Sequence, residues 1–359
     1  MLRLEVLPAE YGDSLWVEYG AQNAPRRILI DAGLASVYTE QIKPRLLAFA
    51  DAEREPFELM VCTHIDADHI GGTLKLFEEA DRTGFRAKEV WFNGYRHMPA
   101  EAPDTLGPVQ GERLTEMLLQ PRWQWNASFN GGAAMVSDEG DLPQVELAGG
   151  MRVTLLSPNS EKLSNLKPVW EAECRKAGLE PRIAAVGDES EDGESIALLS
   201  GGPPDVDDLA DERFVQDTSA ANGSSIAMML QYEGCSLLLS GDAHPDMLRT
   251  SLQRWSGGRK PAFDVFKLPH HGSKANVSAD LVRAVDCKQW VFSSNGKRFN
   301  HPNPQAVARV VKHASSPALV FNYRTQFSEL WDNAALRQQY GYTTTYPTRG
   351  HGGMVLTLD

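Results

Sequence analysis

Residues 61–72, Val-Cys-Thr-His-Ile-Asp-Ala-Asp-His-Ile-Gly-Gly, constrain this chain more than any other stretch. The apolar run that feeds them, Glu58 to Thr63, reads as a buried strand, and the loop beyond it carries His64, Asp66, Asp68 and His69 within six positions. If the loop leaves the strand extended, alternation sends His64 and Asp66 to one side, Asp68 to another, and His69 to the start of a helix expected over Ile70 to Ala80. One stretch can then serve two metal ions. Gly71 and Gly72 are expected to let the backbone turn tightly and come close to them. An Asp-rich turn capping a helix would explain Asp68 alone. It gives no reason for two histidines flanking two carboxylates on one loop.

The run resembles the signature of the metallo-β-lactamase superfamily, in which His-x-His-x-Asp-His builds a di-metal centre. Asp66 stands where a second His is usual. The resulting His-x-Asp-x-Asp-His is similar to the subgroup of the ComEC-like DNA-uptake hydrolases and the phosphorylcholine esterases, both phosphodiester-cleaving. What this resemblance implies for the fold is an α/β architecture, the αββα four-layer sandwich, as a single domain over residues 1–359. Composition adds an inserted segment at about 180–217, acidic and rich in Pro and Gly, expected to be mobile because it buries too little apolar surface to offset its ordering.

Around the central loop, Leu2 to Leu7, Ser14 to Tyr19 and Arg27 to Gly33 read as strands, and the Gly-Asp-Ser of residues 12–14 and the Asp-x-Gly of residues 31–33 match the opening of the resemblance. It gives Asp31 the task of bracing the metal loop by hydrogen bonds, though an Asp ending a strand in a turn would look the same. Tyr38 to Ala52 has helical spacing, Lys88 to Asn93 reads as a strand, and His97 follows in a loop at the metal-ligand end. Trp123, Trp125 and Phe129 read as core aromatics before a platform for substrate. Val145 to Leu156 is an expected hairpin and Ser164 to Ala177 a helix.

The second chemical signal is Ser236 to Asp242. A carboxylate released after an apolar strand is costly unless a cation meets it, and the resemblance makes Asp242 the ligand that bridges two metals. Asn222 to Tyr232 is the expected partner strand. A third signal closes the strand Phe263 to Pro269, where His270-His271-Gly-Ser273 follows. One histidine can bind at such an edge while its neighbour faces substrate. Carried over by position, His271 binds metal and His270 assists at the phosphate. His301, in Asn-His-Pro, is either a substrate-side acid/base or a late ligand. His244 reads as sitting on a helix N-terminus. Strand, helix and strand are expected over 318–322, 329–340 and 354–358.

The resemblance thus implies site one from His64, Asp66 and Asp242, and site two from Asp68, His69, His271 and the same Asp242. Two divalent ions would hold a hydroxide as nucleophile, with Zn first and Mn or Fe as alternatives favoured by the oxygen-rich ligands. No histidine precedes the Asp242 hairpin, where Asn222-Gly-Ser-Ser225 stands. The expected reaction is phosphodiester hydrolysis, with nucleic acid among the substrates considered, His270 and His301 as acid/base groups, and Asn222 and Ser273 as hydrogen-bond donors to phosphate. Hydrolysis of a carboxylic ester, thioester or lactone is the alternative on the same fold. A partner-binding or sensory protein with a structural metal is the third.

Bulk properties set the outer limits. A net charge of −13 opposes nonspecific attraction to nucleic acid, although a metal pair would dominate the field inside its own site. Four scattered cysteines, Cys62, Cys174, Cys235 and Cys287, point to reduced thiols and a cytoplasmic protein. Arg3 and Glu5 interrupt the first apolar residues, so no signal peptide is expected, and no run is long enough to span a bilayer. A protein partner or a homo-oligomer fits as well as a monomer.

Overall fold

The computed structural model of the chain describes residues 1–49, 55–98, 109–177 and 202–358. Fourteen strands build two sheets. The first contains β1 (Leu2–Val6), β2 (Leu15–Ala21), β3 (Ala24–Ile30), β4 (Leu59–Val61), β5 (Val90–Trp91) and β14 (Met354–Leu358), in the order β14-β1-β2-β3-β4-β5. The second contains β6 (Gln144–Leu147), β7 (Met151–Ser157), β8 (Ala227–Tyr232), β9 (Cys235–Leu239), β10 (Ala262–Lys267), β11 (Asp286–Phe292), β12 (Ala318–Phe321) and β13 (Thr343–Thr345), in the order β13-β12-β11-β10-β9-β8-β7-β6.

Alternation along the strands separates the layers. In the first sheet Leu2, Leu4, Val6, Val17, Ile28, Ile30, Leu59 and Val61 enter the core shared with the second sheet. Their neighbours Trp16, Leu29, Met60 and Cys62 face the other way, against Tyr38, Ile42, Leu46, Ile70, Leu74 and Phe77 of the helical layer. Helices Pro245–Trp255, Ala279–Arg283 and Pro304–His313 add Leu248, Leu252, Leu281, Val307 and Val310 to the core of the second sheet. The result is α/β with two stacked sheets and helices outside both. No helix among the described residues is long and apolar enough to cross a membrane.

Both sheets change from antiparallel to parallel pairing part-way across. β3, β4 and β5 run parallel, and so do β9, β10, β11, β12 and β13. Carboxyl ends of parallel strands open the crevice in which α/β folds place their ligands. Here β3, β4, β9 and β10 end at Asp31, the 63–69 loop, Asp242 and the His270-His271 turn.

Several elements differ from the sequence reading. The helix after the central loop starts at Ala67, not Ile70, so Asp68 and His69 stand in its first turn. Gly72 packs on the Asp31 turn: a Cβ there would collide with Ala32 O, so the missing side chain lets the helix close on that turn. The strand expected at 88–93 is two residues long. Asn222 lies in a short helix, Ala220–Gly223, before β8 begins. Thr325 and Asn333 cap two separate helices, Gln326–Glu329 and Ala334–Tyr340, where one was expected, and β13 was not foreseen. Of the segment 180–217, residues 180–201 lie outside the described residues. The remainder is built into the fold: the helix Val206–Asp211 buries Val206 and Ala210 in the core, and Lys312 pairs with Asp207 and Asp211 at 2.9 Å.

Candidate metal centre

Asp242 Oδ2 is the point on which the site converges. His69 Nε2 lies 3.3 Å from it, His271 Nε2 3.4 Å, His64 Nε2 3.9 Å and His270 Nε2 4.0 Å. His69 Nε2 and His271 Nε2 are 3.4 Å apart although they are 202 residues distant in sequence. On one side of Asp242, His64 Nε2 meets Asp66 Oδ2 at 3.4 Å. On the other, Asp68 Oδ2 lies 3.5 Å from His271 Nε2 and 3.9 Å from His69 Nε2. The ligand atoms of His64, His69 and Asp242 lie close enough to hold one ion, and so do those of Asp68, His69 and His271.

Hydrogen bonds fix the outer edges of His69 and His64, and a buried carboxylate stands behind that of His271 without a hydrogen bond. Asp31 adopts a positive φ of 55° at the end of β3, where its carboxylate accepts from Thr63 N and Thr63 Oγ1 at 2.7 Å each and meets His69 Nδ1 at 2.8 Å. His64 Nδ1 faces Thr63 Oγ1 at 3.0 Å and Ser225 Oγ at 3.3 Å. His271 Nδ1 lies 3.4 Å from Asp13 Oδ1. A histidine held at Nδ1 by a carboxylate or hydroxyl, with Nε2 turned inward, is arranged as metal-binding histidines are. His64 Nε2 and Asp242 Oδ1 are buried without a hydrogen-bond partner.

Charge makes the same point. Asp13, Asp31, Asp66, Asp68, Asp217 and Asp242 surround the cleft, and Lys267, fully buried, is the cation that meets Asp13 and lies 4.0 Å from Asp242 Oδ1. Burial works hardest against protonating His69 and His271, but the surrounding carboxylates together outweigh it, Asp242 with Asp31 and Asp68 at His69 and Asp242 with Asp13 at His271, so both stand well above their ordinary range. Against the same burial, Asp242 and Asp217 push His270 up to about 9. The donor set is short of positive charge and fits divalent cations.

The remaining residues named from sequence fall into two groups. His270 is at the cleft, its Nδ1 3.0 Å from Asn276 Oδ1 and 3.7 Å from Asp217 Oδ2. His301 is buried, with its ring 5.2 Å from that of His270 and 6.3 Å from that of His271; burial first, then His270 and His271, hold it well below the ordinary range. Asn222 donates to Asp217 Oδ2 at 2.8 Å and lies 3.4 Å from His270 Nδ1, beside the cleft. Ser273 turns into its own loop, accepting from Ala275 N at 3.2 Å. His97 is apart, edge-on to Trp125 at 4.6 Å, and His244 caps Pro245–Trp255 near Lys162.

Sequence reasoning assigned no role to Asp13, Lys267, Asp217, Ser225 or Asn276. Lys267 carried a usable clue: a lysine inside the apolar run Val265 to Leu268 needs a buried partner. Asp217 carried none, as one acid at the end of an acidic stretch.

Residues 11–149 match the metallo-beta-lactamase superfamily. The two-sheet α/β architecture is consistent with the metallo-β-lactamase fold. A curated relative, ComE operon protein 3 of Bacillus subtilis (strain 168), is 23% identical over 128 residues, 34% of this chain, and the chain spans only 16% of that protein's length. Among solved structures, the diiron β-hydroxylase CmlA of Streptomyces venezuelae aligns over 99% of this chain and 54% of its own at 13% identity and a TM-score of 0.42. Zn(2+)-bound PqqB of Methylobacterium extorquens aligns over 100% of both chains at 14% identity and a TM-score of 0.41.

Proposed function

We propose that this protein is a metal-dependent hydrolase that cleaves phosphodiesters. The observation that carries the reading is the convergence of His69 Nε2 and His271 Nε2, 3.4 Å apart, on Asp242 Oδ2, with Asp31 hydrogen-bonded to His69 Nδ1 and the Asp13 carboxylate ion-paired behind His271. His64, Asp66 and Asp242 would hold one ion, and Asp68, His69, His271 and Asp242 a second. Two divalent cations so held lower the pKa of water and stabilise the attacking and leaving oxygens of an in-line displacement at phosphorus. Zn2+ is the first expectation, with Mn2+ or Fe favoured by the carboxylate share of the ligands.

The chain's own groups supply the rest. A phosphodiester releases an alkoxide, a poor leaving group that needs a proton. His270 has its Nδ1 engaged and its Nε2 facing the cleft, so it is the group to donate that proton. His301, buried beside it and low in basicity, orients the phosphate as a neutral imidazole. Asn222 flanks the same space. A thioester releases a thiolate, a better leaving group that makes less use of His270, which ranks it second; an alkyl carboxylic ester releases the same alkoxide, and turnover separates it from the diester. The subgroup reading, of ComEC-like and phosphorylcholine-esterase-like hydrolases, rests on Asp66 in the central loop. The buried Cys62, Cys235 and Cys287, none in a disulfide, fit a reducing, cytoplasmic setting.

The test is metal content of the purified protein followed by turnover of bis(p-nitrophenyl) phosphate, p-nitrophenyl phosphate and an acyl thioester. The reading expects bound metal and preference for the diester. Bound metal with turnover of the thioester alone replaces it with the ester reading. Bound metal with no turnover of any of the three supports a structural metal in a binding protein.

A further inference from the structure

Asp217 closes the acidic stretch that precedes β8, yet its carboxylate is largely buried and held from three directions. Ser219 N donates to Oδ1 at 2.8 Å, and Asn222 Nδ2 and Asn276 Nδ2 donate to Oδ2 at 2.8 and 2.9 Å. Asn276 is buried and faces two ways. Its amide nitrogen donates to Asp217 and, at 3.3 Å, to Asp242 O, which fixes the amide plane and turns Oδ1 toward His270 Nδ1 at 3.0 Å. Oδ1 can only accept, and at 3.0 Å it lies closer to His270 Nδ1 than Asn222 Nδ2, which donates to Asp217 and stands 3.4 Å away, so the pairing favours a proton on Nδ1. Nε2 is then the nitrogen presented to the cleft, 4.0 Å from Asp242 Oδ2. His270 needs this support, for its backbone sits at a φ of 47°, a region that leaves a non-glycine side chain few competing arrangements to relax into.

We propose that Asp217, acting through Asn276, is the positioning residue that fixes the His270 imidazole with Nε2 turned to the reacting phosphate. This rests on the phosphodiesterase reading for its catalytic consequence, though not for the bracket itself. In that reaction the P–O bond to the leaving oxygen breaks as the Nε2 proton passes to that oxygen, while the water oxygen forms the new P–O bond, one of its protons staying on the product phosphate and the other passing to solvent, from which His270 is reprotonated. A misaligned His270 therefore matters in proportion to how badly the leaving group needs a proton.

The experiment compares wild type, Asp217→Asn and Asn276→Ala on two diesters, bis(p-nitrophenyl) phosphate, which releases a stable phenolate, and glycerophosphoglycerol, which releases an alkoxide. Metal content and melting temperature are measured on each protein. General-acid help is worth roughly 10²–10⁴-fold, so both variants should lose about tenfold or more in kcat on glycerophosphoglycerol, less than about twofold on the phenolate ester, and nothing in KM or bound metal. An unchanged ratio between the two diesters overturns the proposal, whatever the absolute rates. A parallel readout needs no turnover: 15N-histidine spectra of the metal-free protein above about pH 9, with the His270 signals assigned by their absence in His270→Gln, should show its proton locked on Nδ1 in wild type and released in Asn276→Ala. If wild type hydrolyses neither diester, the phosphodiesterase reading fails while these spectra still decide the bracket; if the spectra do not differ, the bracket fails. Should Asp217→Asn not fold, Asn276→Ala and Asp217→Glu carry the same comparison.

Discussion

The two halves of the candidate metal centre are built by opposite strategies. The half from the first sheet is local: His64, Asp66, Asp68 and His69 leave one strand and enter one helix, and a single buried carboxylate, Asp31, ties loop and histidine together by three contacts of 2.7–2.8 Å. The half from the second sheet is assembled from the ends of β9 and β10, carrying Asp242, His270 and His271, and from the loop after β11, carrying His301. No one residue can brace it. The task is divided between the Asp13–Lys267 pair behind His271 and the Asp217–Asn276 pair behind His270. A local motif can be stabilised by hydrogen bonds within a few residues, whereas a distributed one requires buried charge to hold separate strand ends in register.

That contrast orders the expected effects of substitution. Asp242 belongs to both halves, so Asp242→Ala should remove both metals and take turnover to background, read by metal analysis and steady-state rates. Retention of one full equivalent of metal would show that one half binds without the shared carboxylate. Lys267→Met strikes the distributed half. It leaves Asp13 buried and unpaired, and breaking a buried pair from one side costs about 3–5 kcal/mol, so the melting temperature and denaturation midpoint should fall steeply along with metal content. Asp31→Asn strikes the local half. The fold should survive, because the amide oxygen can still accept from Thr63 N, while His69 loses its acceptor and metal affinity falls about 10–100-fold. Equal melting temperatures for Lys267→Met and Asp31→Asn would end the distinction between the halves.

The same contrast explains what could be read from sequence. His64, Asp66, Asp68 and His69 announce themselves because four ligand residues crowd one loop, and Asp242 and His271 because each follows an apolar strand that has no other use for a polar residue. The two-sheet frame came from the resemblance that the central loop carries; β1 alternates along its length, whereas β9 is a nearly continuous apolar run. Asp13 and Lys267 were not legible, since their relation exists only when β10 of one sheet lies under the loop between β1 and β2 of the other. Asp217 was hidden by its neighbours: composition averages over a window, and the acidic stretch of 180–217 gives no sign that one of its carboxylates is inserted beside His270. The start of the helix at Ala67 was displaced because Asp66 takes the extended N-cap conformation, with a φ of −68° and ψ of 142°, which draws Asp68 and His69 into the first turn.

The finest discrimination between the halves comes from protons. In the metal-free protein Asp242 raises both His69 and His271 well above the ordinary range in spite of burial. At neutral pH each therefore holds a proton that an incoming metal must displace, and the affinity falls as pH falls and climbs as pH rises. A chelator-competition titration between about pH 6 and pH 8 should show this slope directly. Asp31→Asn removes one of the carboxylates that raise His69 but leaves the Asp13 and Asp242 contacts of His271 in place. The variant should bind metal more weakly at every pH yet lose affinity less steeply as the solution is acidified. A slope unchanged from wild type would mean that Asp31 orients His69 without contributing to its charge.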